Sequence, residues 1–364
     1  MRKTFTVAVL TGILAAASCS VLPRDPQVPM AVAHRGCHLK DADGFYINEN
    51  CPEGVRMARR YGYPAIELDV KYTSDSVMVV MHDKSINRTM RRASDYGPVE
   101  EKVLVSETPF EVLRRDYVLV SSDPALRRPI PTLEEMLQAC KEEGVVAMLH
   151  SALSESYRMA QEMLGDEGWI AFSSFKSLKS VRDFSNCLIL MNSSNGTVED
   201  VLPSLGAIGS RCGISSMNYK MMDAAYIKTL RDAGYEVQAS IFPVPHEQRA
   251  LRDGVSIELS DFFWFQKEGR KPVSTWKERG RSLAEGDSLV WSADPLEYGA
   301  VTLEINFSGD LTIDLGGGFT YTLSHSEPAT ELLGIRLFRR TPSIRITAPG
   351  PAVIRGLRAN LYEL

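Results

Sequence analysis

The stretch AIELDV at residues 65–70 decides the fold, because apolar and acidic residues alternate along it as they do on a β-strand. Working outward, short apolar runs at residues 31–34 and 77–81 predict two more strands. The second run, VMVVM, is continuous, as in a strand that is buried on both faces. Further strands are predicted, with helical stretches between them, at residues 145–149, 169–172, 188–191, 236–241 and 256–259. About eight strands that alternate with helices indicate an α/β fold, a (β/α)8 TIM barrel.

The pattern changes after about residue 266. Apolar residues at 301, 303, 305 and 307 alternate with polar ones, and glycine-rich turns follow at 308–310 and 316–318. This alternation with glycine-rich turns is typical of antiparallel strands, so we expect a small all-β, sandwich-like domain after the barrel. The predicted boundaries are residues 30–266 for the barrel domain and 275–364 for the C-terminal β domain.

The N-terminus has the features of an export signal. Arg2 and Lys3 precede an apolar run at residues 5–17, which is too short to span a bilayer. Small residues then lead directly into Cys19, a pattern that resembles the bacterial lipobox. We therefore expect a signal peptide at residues 1–18, lipidation of Cys19 and a tether at 19–29. The alternative is plain secretion with cleavage nearby. The predicted location is periplasmic or outer-membrane, with the lipid as membrane anchor.

Charge and cysteine content limit the kinds of partner and of disulfide that the protein can have. The 364 residues carry a formal net charge of -5, and this acidic balance argues against nucleic acid as a partner. The five cysteines other than Cys19 show no C-x-x-C pair. Cys37 and Cys51 flank one predicted active-site loop, and a disulfide bridge between them stays an open alternative.

Chemistry-bearing residues recur where the predicted strands end. His34 and Arg35 follow the first strand, Glu67 and Asp69 lie two apart on the second, and His82 and His150 end the third and fourth. In a parallel barrel the active site lies at the carboxyl ends of the strands. Two carboxylates that face one space favour a shared cation, and oxygen ligands suit Ca²⁺ or Mg²⁺. Two histidines and an arginine beside a metal suit phosphoryl chemistry.

The same residues stand in a pattern that resembles the glycerophosphodiester phosphodiesterase family. The resemblance rests mainly on residues 33–36, 49–50, 66–70, 79–83 and 88–89. It implies hydrolysis of a small-molecule or lipid-derived phosphodiester, in this family to glycerol 3-phosphate and an alcohol. It also implies roles: His34 and His82 as general acid and base, Arg35 on the phosphate, and Glu67 and Asp69 as ligands of one divalent metal, with Glu49 beside them.

One departure from the family concerns the fourth predicted strand. The family's usual Glu-x-Lys pair reads His150-Ser151-Ala152 here. We predict that His150 replaces the glutamate as a metal ligand, which would make Mn²⁺ or Zn²⁺ acceptable beside Ca²⁺ and Mg²⁺.

Two other functions stay open at this point. One is a lyase of the phospholipase C or sphingomyelinase D type, which shares a barrel and paired histidines. The other is a degenerate, non-catalytic surface lipoprotein whose β domain binds a glycan. Trp276, Trp291 and Tyr298 suggest such binding, and the alternative is a β domain that only buttresses the barrel, with these aromatic residues in its core. The loss of the usual glutamate and lysine favours the second of these functions, whereas the retained histidines and carboxylates argue against it.

Overall fold

A computed structural model describes residues 29–42, 44–193, 196–216, 222–240, 249–261 and 271–363. The chain divides near residue 266 into two compact units, a barrel unit and a β unit. The predicted signal peptide, Cys19 and nearly all of the tether lie outside the described residues. No helix among the residues described is long and apolar enough to cross a membrane.

The barrel unit alternates strands and helices along the chain. Its elements are, in order, β1 (Met30–Ala33), β2 (Leu39–Asp41), β3 (Gly44–Ile47), α1 (Pro52–Arg60), β4 (Ala65–Tyr72), β5 (Met78–Val80), β6 (Met90–Arg92), α2 (Phe110–Asp116), β7 (Tyr117–Leu119), α3 (Leu133–Glu143), β8 (Val146–His150), α4 (Ser154–Leu164), β9 (Trp169–Ser173), α5 (Phe175–Leu178), β10 (Leu188–Asn192), α6 (Val198–Ile208), β11 (Cys212–Ser216), α7 (Ala224–Asp232), β12 (Glu236–Ser240) and β13 (Ile257–Ser260).

Eight of these strands form a closed parallel barrel, as predicted. They pair in the order β1, β4, β8, β9, β10, β11, β12 and β13, and β13 returns to β1 to close the ring. Side chains from these strands fill the interior and form one apolar cluster that includes Val32, Ala65, Met148, Phe172 and Leu259. Each of these side chains is almost completely buried, so the barrel interior is a packed core. In barrels of this kind the active site lies at the carboxyl ends of the strands.

The predicted set of eight barrel strands was wrong in one member. Residues 77–81 were expected in the barrel, but β5 runs antiparallel to β4 and lies outside the ring. The reason is chain length: residues 73–77 join β4 to β5, whereas a parallel crossover needs about a dozen residues or more. The barrel strand that was missed is β11, whose sequence CGISS lacks a long apolar run.

The helices begin and end where local chemistry dictates. At the start of α3, the Thr132 hydroxyl accepts a hydrogen bond from the Glu135 backbone N–H, and the Glu135 carboxylate accepts one from the Thr132 N–H. The helix ends at Gly144 in the left-handed conformation, with φ of 65°, a geometry that glycine adopts without steric cost. The capping box and the left-handed glycine therefore set the two ends of α3.

The β unit is built from antiparallel strands. They are β14 (Ser274–Leu283), β15 (Ser288–Ser292), β16 (Leu296–Asp314), β17 (Thr320–Arg340), β18 (Ser343–Thr347) and β19 (Ala352–Glu363). The sheet order is β14-β19-β16-β18-β15, and β17 pairs with β16. Val301, Leu303, Ile305 and Phe307 of β16 are all buried, as the alternating pattern requires. The expected all-β fold after the barrel is confirmed.

Candidate active site

The structure gathers the predicted side chains at the carboxyl-terminal rim of the barrel. His34 and Arg35 directly follow β1, Glu67 and Asp69 lie on β4, and His150 is the last residue of β8. His82 comes from the segment after β5 and not from a barrel strand end. It still reaches the rim, because the Met81 N–H donates to the Asp69 carbonyl at 2.8 Å.

Glu67, Asp69 and His150 form the centre of the site. One ligand atom from each lies within 4.8 Å of the other two. Both carboxylates are almost fully buried, and they share a face of β4 because strand side chains alternate. His150 is the register partner of Asp69 on β8. Its Nδ1 lies 3.3 Å from Asp69 Oδ1 and 3.5 Å from Glu67 Oε1.

The electrostatics of this cluster call for a positive charge. Burial alone would lower the pKa of His150, but hydrogen bonds to Asp69 and Glu67 outweigh it and raise the pKa to about 9. Burial would raise the pKa of Asp69, yet His150 and neighbouring groups hold it below its ordinary value. Either an imidazolium or a cation held by all three side chains satisfies the two carboxylates. Two carboxylates and an imidazole are donors that fit a divalent metal.

Backbone and amide groups hold the two carboxylates in place. The Arg35 N–H donates to Glu67 Oε2 at 3.0 Å, and the Asn50 Nδ2 donates to Asp69 Oδ2 at 3.3 Å. Arg35 and Asn50 are themselves joined by a 2.7 Å backbone hydrogen bond. Both have positive φ, 56° and 54°, a region that non-glycine residues rarely adopt. Such strain persists where surrounding contacts enforce it, often at functional sites.

Two histidine–carboxylate pairs also lie in this part of the barrel unit. His34 Nδ1 is 2.7 Å from Asp261 Oδ1, and His82 Nδ1 is 2.8 Å from Asp83 Oδ1. Burial would lower the pKa of His34, but the hydrogen bond to Asp261 and the charge of Glu67 raise it above its ordinary value. Each carboxylate engages Nδ1 and so sets the orientation of the imidazole ring. No role was predicted from the sequence for Asp261 or Asp83.

Glu49 is bound by two arginines. Arg88 donates hydrogen bonds to both carboxylate oxygens of Glu49, and Arg35 Nη1 lies 3.4 Å from Glu49 Oε2. Among the described residues, the group whose ligand atoms meet within 4.8 Å contains Glu67, Asp69 and His150 without Glu49. The proposed ligand role of Glu49 therefore stays a prediction, and its observed partners are guanidinium groups. Arg88 was noted in the sequence but given no role.

The surroundings of residues 150–152, where the usual Glu-x-Lys pair is replaced, are as follows. The His150 ring stacks on Phe172 of β9, with ring centroids 4.5 Å apart. Ser151, the next residue, is buried, and Ala152 is exposed. Cys37 and Cys51, considered above for a bridge, are both buried and free.

The fold and this site define a class: (β/α)8 barrel proteins with an acidic and histidine-rich cluster on the carboxyl-terminal rim. Residues 34–164 match the glycerophosphoryl diester phosphodiesterase family. That range contains every predicted catalytic, phosphate and metal residue. The chain is therefore similar to this family over residues 34–164.

The chain is also similar to two curated phosphodiesterases. The chain is 31% identical over 158 residues to glycerophosphodiester phosphodiesterase 1 of Mus musculus, covering 38% of this chain and 42% of the relative. It is 28% identical over 137 residues to a glycerophosphocholine phosphodiesterase of Homo sapiens, covering 32% and 20%. The chain thus spans less than half the length of these relatives.

Two solved structures share the barrel fold. One is an Oleispira antarctica phosphodiesterase in complex with the product sn-glycerol-3-phosphate, with a TM-score of 0.51, 20% identity, and coverage of 64% of this chain and 93% of that chain. The other is a glycerophosphoryl diester phosphodiesterase from Parabacteroides distasonis, with a TM-score of 0.50, 20% identity, and coverage of 66% and 85%.

Proposed function

We propose that this protein is an exported metal-dependent phosphodiesterase that hydrolyses glycerophosphodiesters, or a related phosphodiester, to glycerol 3-phosphate and an alcohol. One observation carries the proposal. A cluster of Glu67, Asp69 and His150 lies on the same rim as two histidines, each oriented by its own carboxylate. The match to the family model over residues 34–164 and the product complex of a barrel with the same fold support it.

The cluster would hold one divalent cation. Glu67, Asp69 and His150 supply the ligands, and Glu49 is the remaining candidate. When bound, the cation supplies positive charge that stabilises the negatively charged phosphate in the transition state. Ca²⁺ or Mg²⁺ suits the carboxylates, and the imidazole of His150 makes Mn²⁺ or Zn²⁺ acceptable. Arg35 adds a second positive group for a phosphate oxygen.

His34 and His82 would carry the protons. One accepts a proton from the attacking oxygen, and the other donates a proton to the oxygen of the leaving alcohol. Asp261 and Asp83 hold the two rings at Nδ1. The attacking oxygen belongs either to water or to a neighbouring hydroxyl of the substrate, which would form a cyclic phosphate first.

The test is turnover by the purified full-length chain. Glycerophosphocholine and an aryl phosphodiester are each supplied with Mg²⁺, Ca²⁺, Mn²⁺ or Zn²⁺, and ³¹P NMR identifies the products. We expect glycerol 3-phosphate, with loss of turnover in EDTA and in the double variant Glu67→Gln/Asp69→Asn. A cyclic phosphate as the final product would favour the lyase alternative. No turnover on any diester would favour the non-catalytic alternative.

The β unit offers a second candidate activity, contact with a glycan. Trp276 of β14 and Trp291 of β15 are half-buried, their ring planes differ by 3°, and their centroids are 6.4 Å apart. Parallel indole faces are suited to stacking on a flat ligand. Tyr298 is buried and does not contribute. We expect Trp276→Ala and Trp291→Ala to abolish retention on insoluble polysaccharides; equal retention of wild type and variants would exclude this role.

The membrane anchor also remains a proposal. Lipidation at Cys19 would hold the protein on the periplasmic side of a bacterial membrane. Metabolic labelling with an alkyne fatty acid should label the wild type and spare Cys19→Ser. Equal labelling of both, or of neither, would leave plain secretion as the better description.

A further inference from the structure

Arg88 binds two carboxylates at once. Its Nε donates to Asp83 Oδ2 at 2.7 Å, its Nη1 donates to Glu49 Oε2 at 3.0 Å, and its Nη2 donates to Glu49 Oε1. The guanidinium is planar, and its N–H groups form a fork that reaches both carboxylates. This fork fixes the orientation of the two carboxylates as well as balancing their charge. A lysine ammonium could supply the charge but not the fork.

Each of the two carboxylates that Arg88 binds also contacts a residue of the site. Asp83 Oδ1 lies 2.8 Å from Nδ1 of His82, and Glu49 Oε2 lies 3.4 Å from Nη1 of Arg35. Arg88 is therefore connected through these carboxylates to two groups that the proposed reaction uses, the proton-transferring His82 and the phosphate-binding Arg35. Its presence also holds the pKa of Asp83 at about 2, far below the ordinary value.

The backbone brings Arg88 to this position. The Asn48 Nδ2 donates to the carbonyls of Thr89 and Val120, both at 2.9 Å. The Asn48 side-chain oxygen accepts the backbone N–H of Glu49 at 2.8 Å. One buried amide thus ties the segment that carries Arg88 to the loop that carries Glu49, so the fork does not depend on side-chain contacts alone.

We propose that Arg88 is a positioning residue for the diesterase reaction: it orients His82 through Asp83 and holds Arg35 through Glu49. This inference rests on the proposed function. Glu49 is buried. Without Arg88, Arg35 would be the remaining cationic partner of Glu49 among the contacts described here. The Glu49 carboxylate would then draw the Arg35 side chain away from the phosphate. Asp83 would lose the partner that fixes its rotamer, and His82 would lose its fixed ring orientation.

The size of the effect follows from the indirect role. Groups that orient the residues in contact with a metal or substrate typically contribute about 10–100-fold to activity. We expect Arg88→Ala to lower kcat through His82 and to raise KM through Arg35. Arg88→Lys should recover little, because the ammonium cannot bind Asp83 and both Glu49 oxygens in the same geometry.

The experiment compares Arg88→Ala, Arg88→Lys and a matched control, Arg114→Ala. Arg114 forms a 2.8 Å ion pair with Glu135 in the same unit, and its side chain is 36% exposed beside 43% for Arg88. One readout is kcat and KM on glycerophosphocholine, with and without millimolar ethylguanidinium. The other readout needs no turnover: ¹⁵N NMR of the histidine rings, with the His82 signals assigned from their absence in His82→Gln.

The expected result is a 10–100-fold loss of kcat/KM in Arg88→Ala, partial restoration by ethylguanidinium, and a changed Nδ1 signal of His82. The control should keep wild-type kinetics and spectra and show no response to the additive. Wild-type rate and an unchanged His82 signal in Arg88→Ala would overturn the proposal. If that variant fails to fold, the same two outcomes in Arg88→Lys decide it.

Failure of the proposed function gives a different pattern. A wild-type protein without turnover on any diester would remove the function, while the His82 ring signals would still test the positioning. In that case, unchanged His82 signals in the folded Arg88 variants would overturn this inference as well, and changed signals would support it.

Discussion

His34 and His82 are chemically alike and differ in where their carboxylate partners lie in the chain. Asp83 is the next residue after His82, whereas Asp261 lies 227 positions from His34. If both rings transfer protons, His34→Ala and His82→Ala should each lower turnover by about 10²–10⁴-fold with the fold intact.

Steady-state kinetics on glycerophosphocholine and on an activated aryl diester will measure this loss. Both substrates are needed, because a leaving group that requires no proton would hide the general acid. His325→Gln, in the β unit, is the matched control. Near-wild-type rates for either barrel variant on both substrates would remove that histidine from the mechanism.

The metal preference of the site is predicted to depend on His150. If it is a ligand, His150→Ala should weaken metal binding, and His150→Glu should shift preference toward Ca²⁺ and Mg²⁺ because an oxygen donor replaces nitrogen. Binding should also weaken on acidification, since an imidazole must lose its proton to coordinate. Titration calorimetry with each metal measures the affinities. Unchanged affinity and selectivity in both variants would leave His150 as a hydrogen-bonding neighbour of the two carboxylates.

The pair of His34 and Asp261 predicts a pH window for stability. The pKa of His34 is raised, so its contribution is fully present below the unfolded value of about 6.5 and is lost as pH rises through the folded value. Burial would raise the pKa of Asp261, but His34 lowers it, so the contribution also fades as pH falls below about 4. The window therefore lies between about pH 4 and 6.5.

Calorimetric melting in EDTA tests this window. The difference in Tm between wild type and His34→Gln should be larger at pH 5.5 than at pH 9. An equal or reversed difference would show that the pair does not contribute to stability through this ionisation.

At the scale of elements, α3 depends on its capping box. Thr132→Ala removes the hydroxyl that accepts the Glu135 N–H and should cost about 1 kcal/mol of unfolding free energy. Thr132→Ser, which keeps an accepting hydroxyl, is the matched control and should stay close to wild type. Urea denaturation measures both. A loss as large in Thr132→Ser as in Thr132→Ala would show that packing of the methyl group, and not the cap, is responsible.

The strands show how far an element can be predicted from local pattern. Residues 65–70 and 145–149 were correctly assigned to the barrel, the first from its strand-like alternation and the second from its continuous apolar run. The run at 77–81 encodes burial equally well, yet its direction is set by the short connection from β4. Strand β11 was missed because two serines, a glycine and a cysteine carry little apolar signal. Its burial comes from its neighbours β10 and β12.

At the scale of the whole molecule, every proposed catalytic, phosphate and metal residue lies before residue 266, in the barrel unit. A chain that ends near that residue should therefore keep part of its activity. Kinetics and circular dichroism of the truncated protein, beside the full chain, measure this. An insoluble or unfolded product would show that the β unit is needed for the barrel to fold, and a folded but inactive one would show that it is needed for catalysis.

The sequence by itself determined the fold class, the all-β region and the histidines and carboxylates of the rim. It could do so because the alternation of strand and helix is local, and strand ends in a parallel barrel meet at one rim. Only the tertiary structure decided the partners: Asp261 for His34, two arginines for Glu49, and His150 beside both Glu67 and Asp69. Periodicity records which face of an element is buried, whereas contacts between distant segments depend on where the chain returns in space.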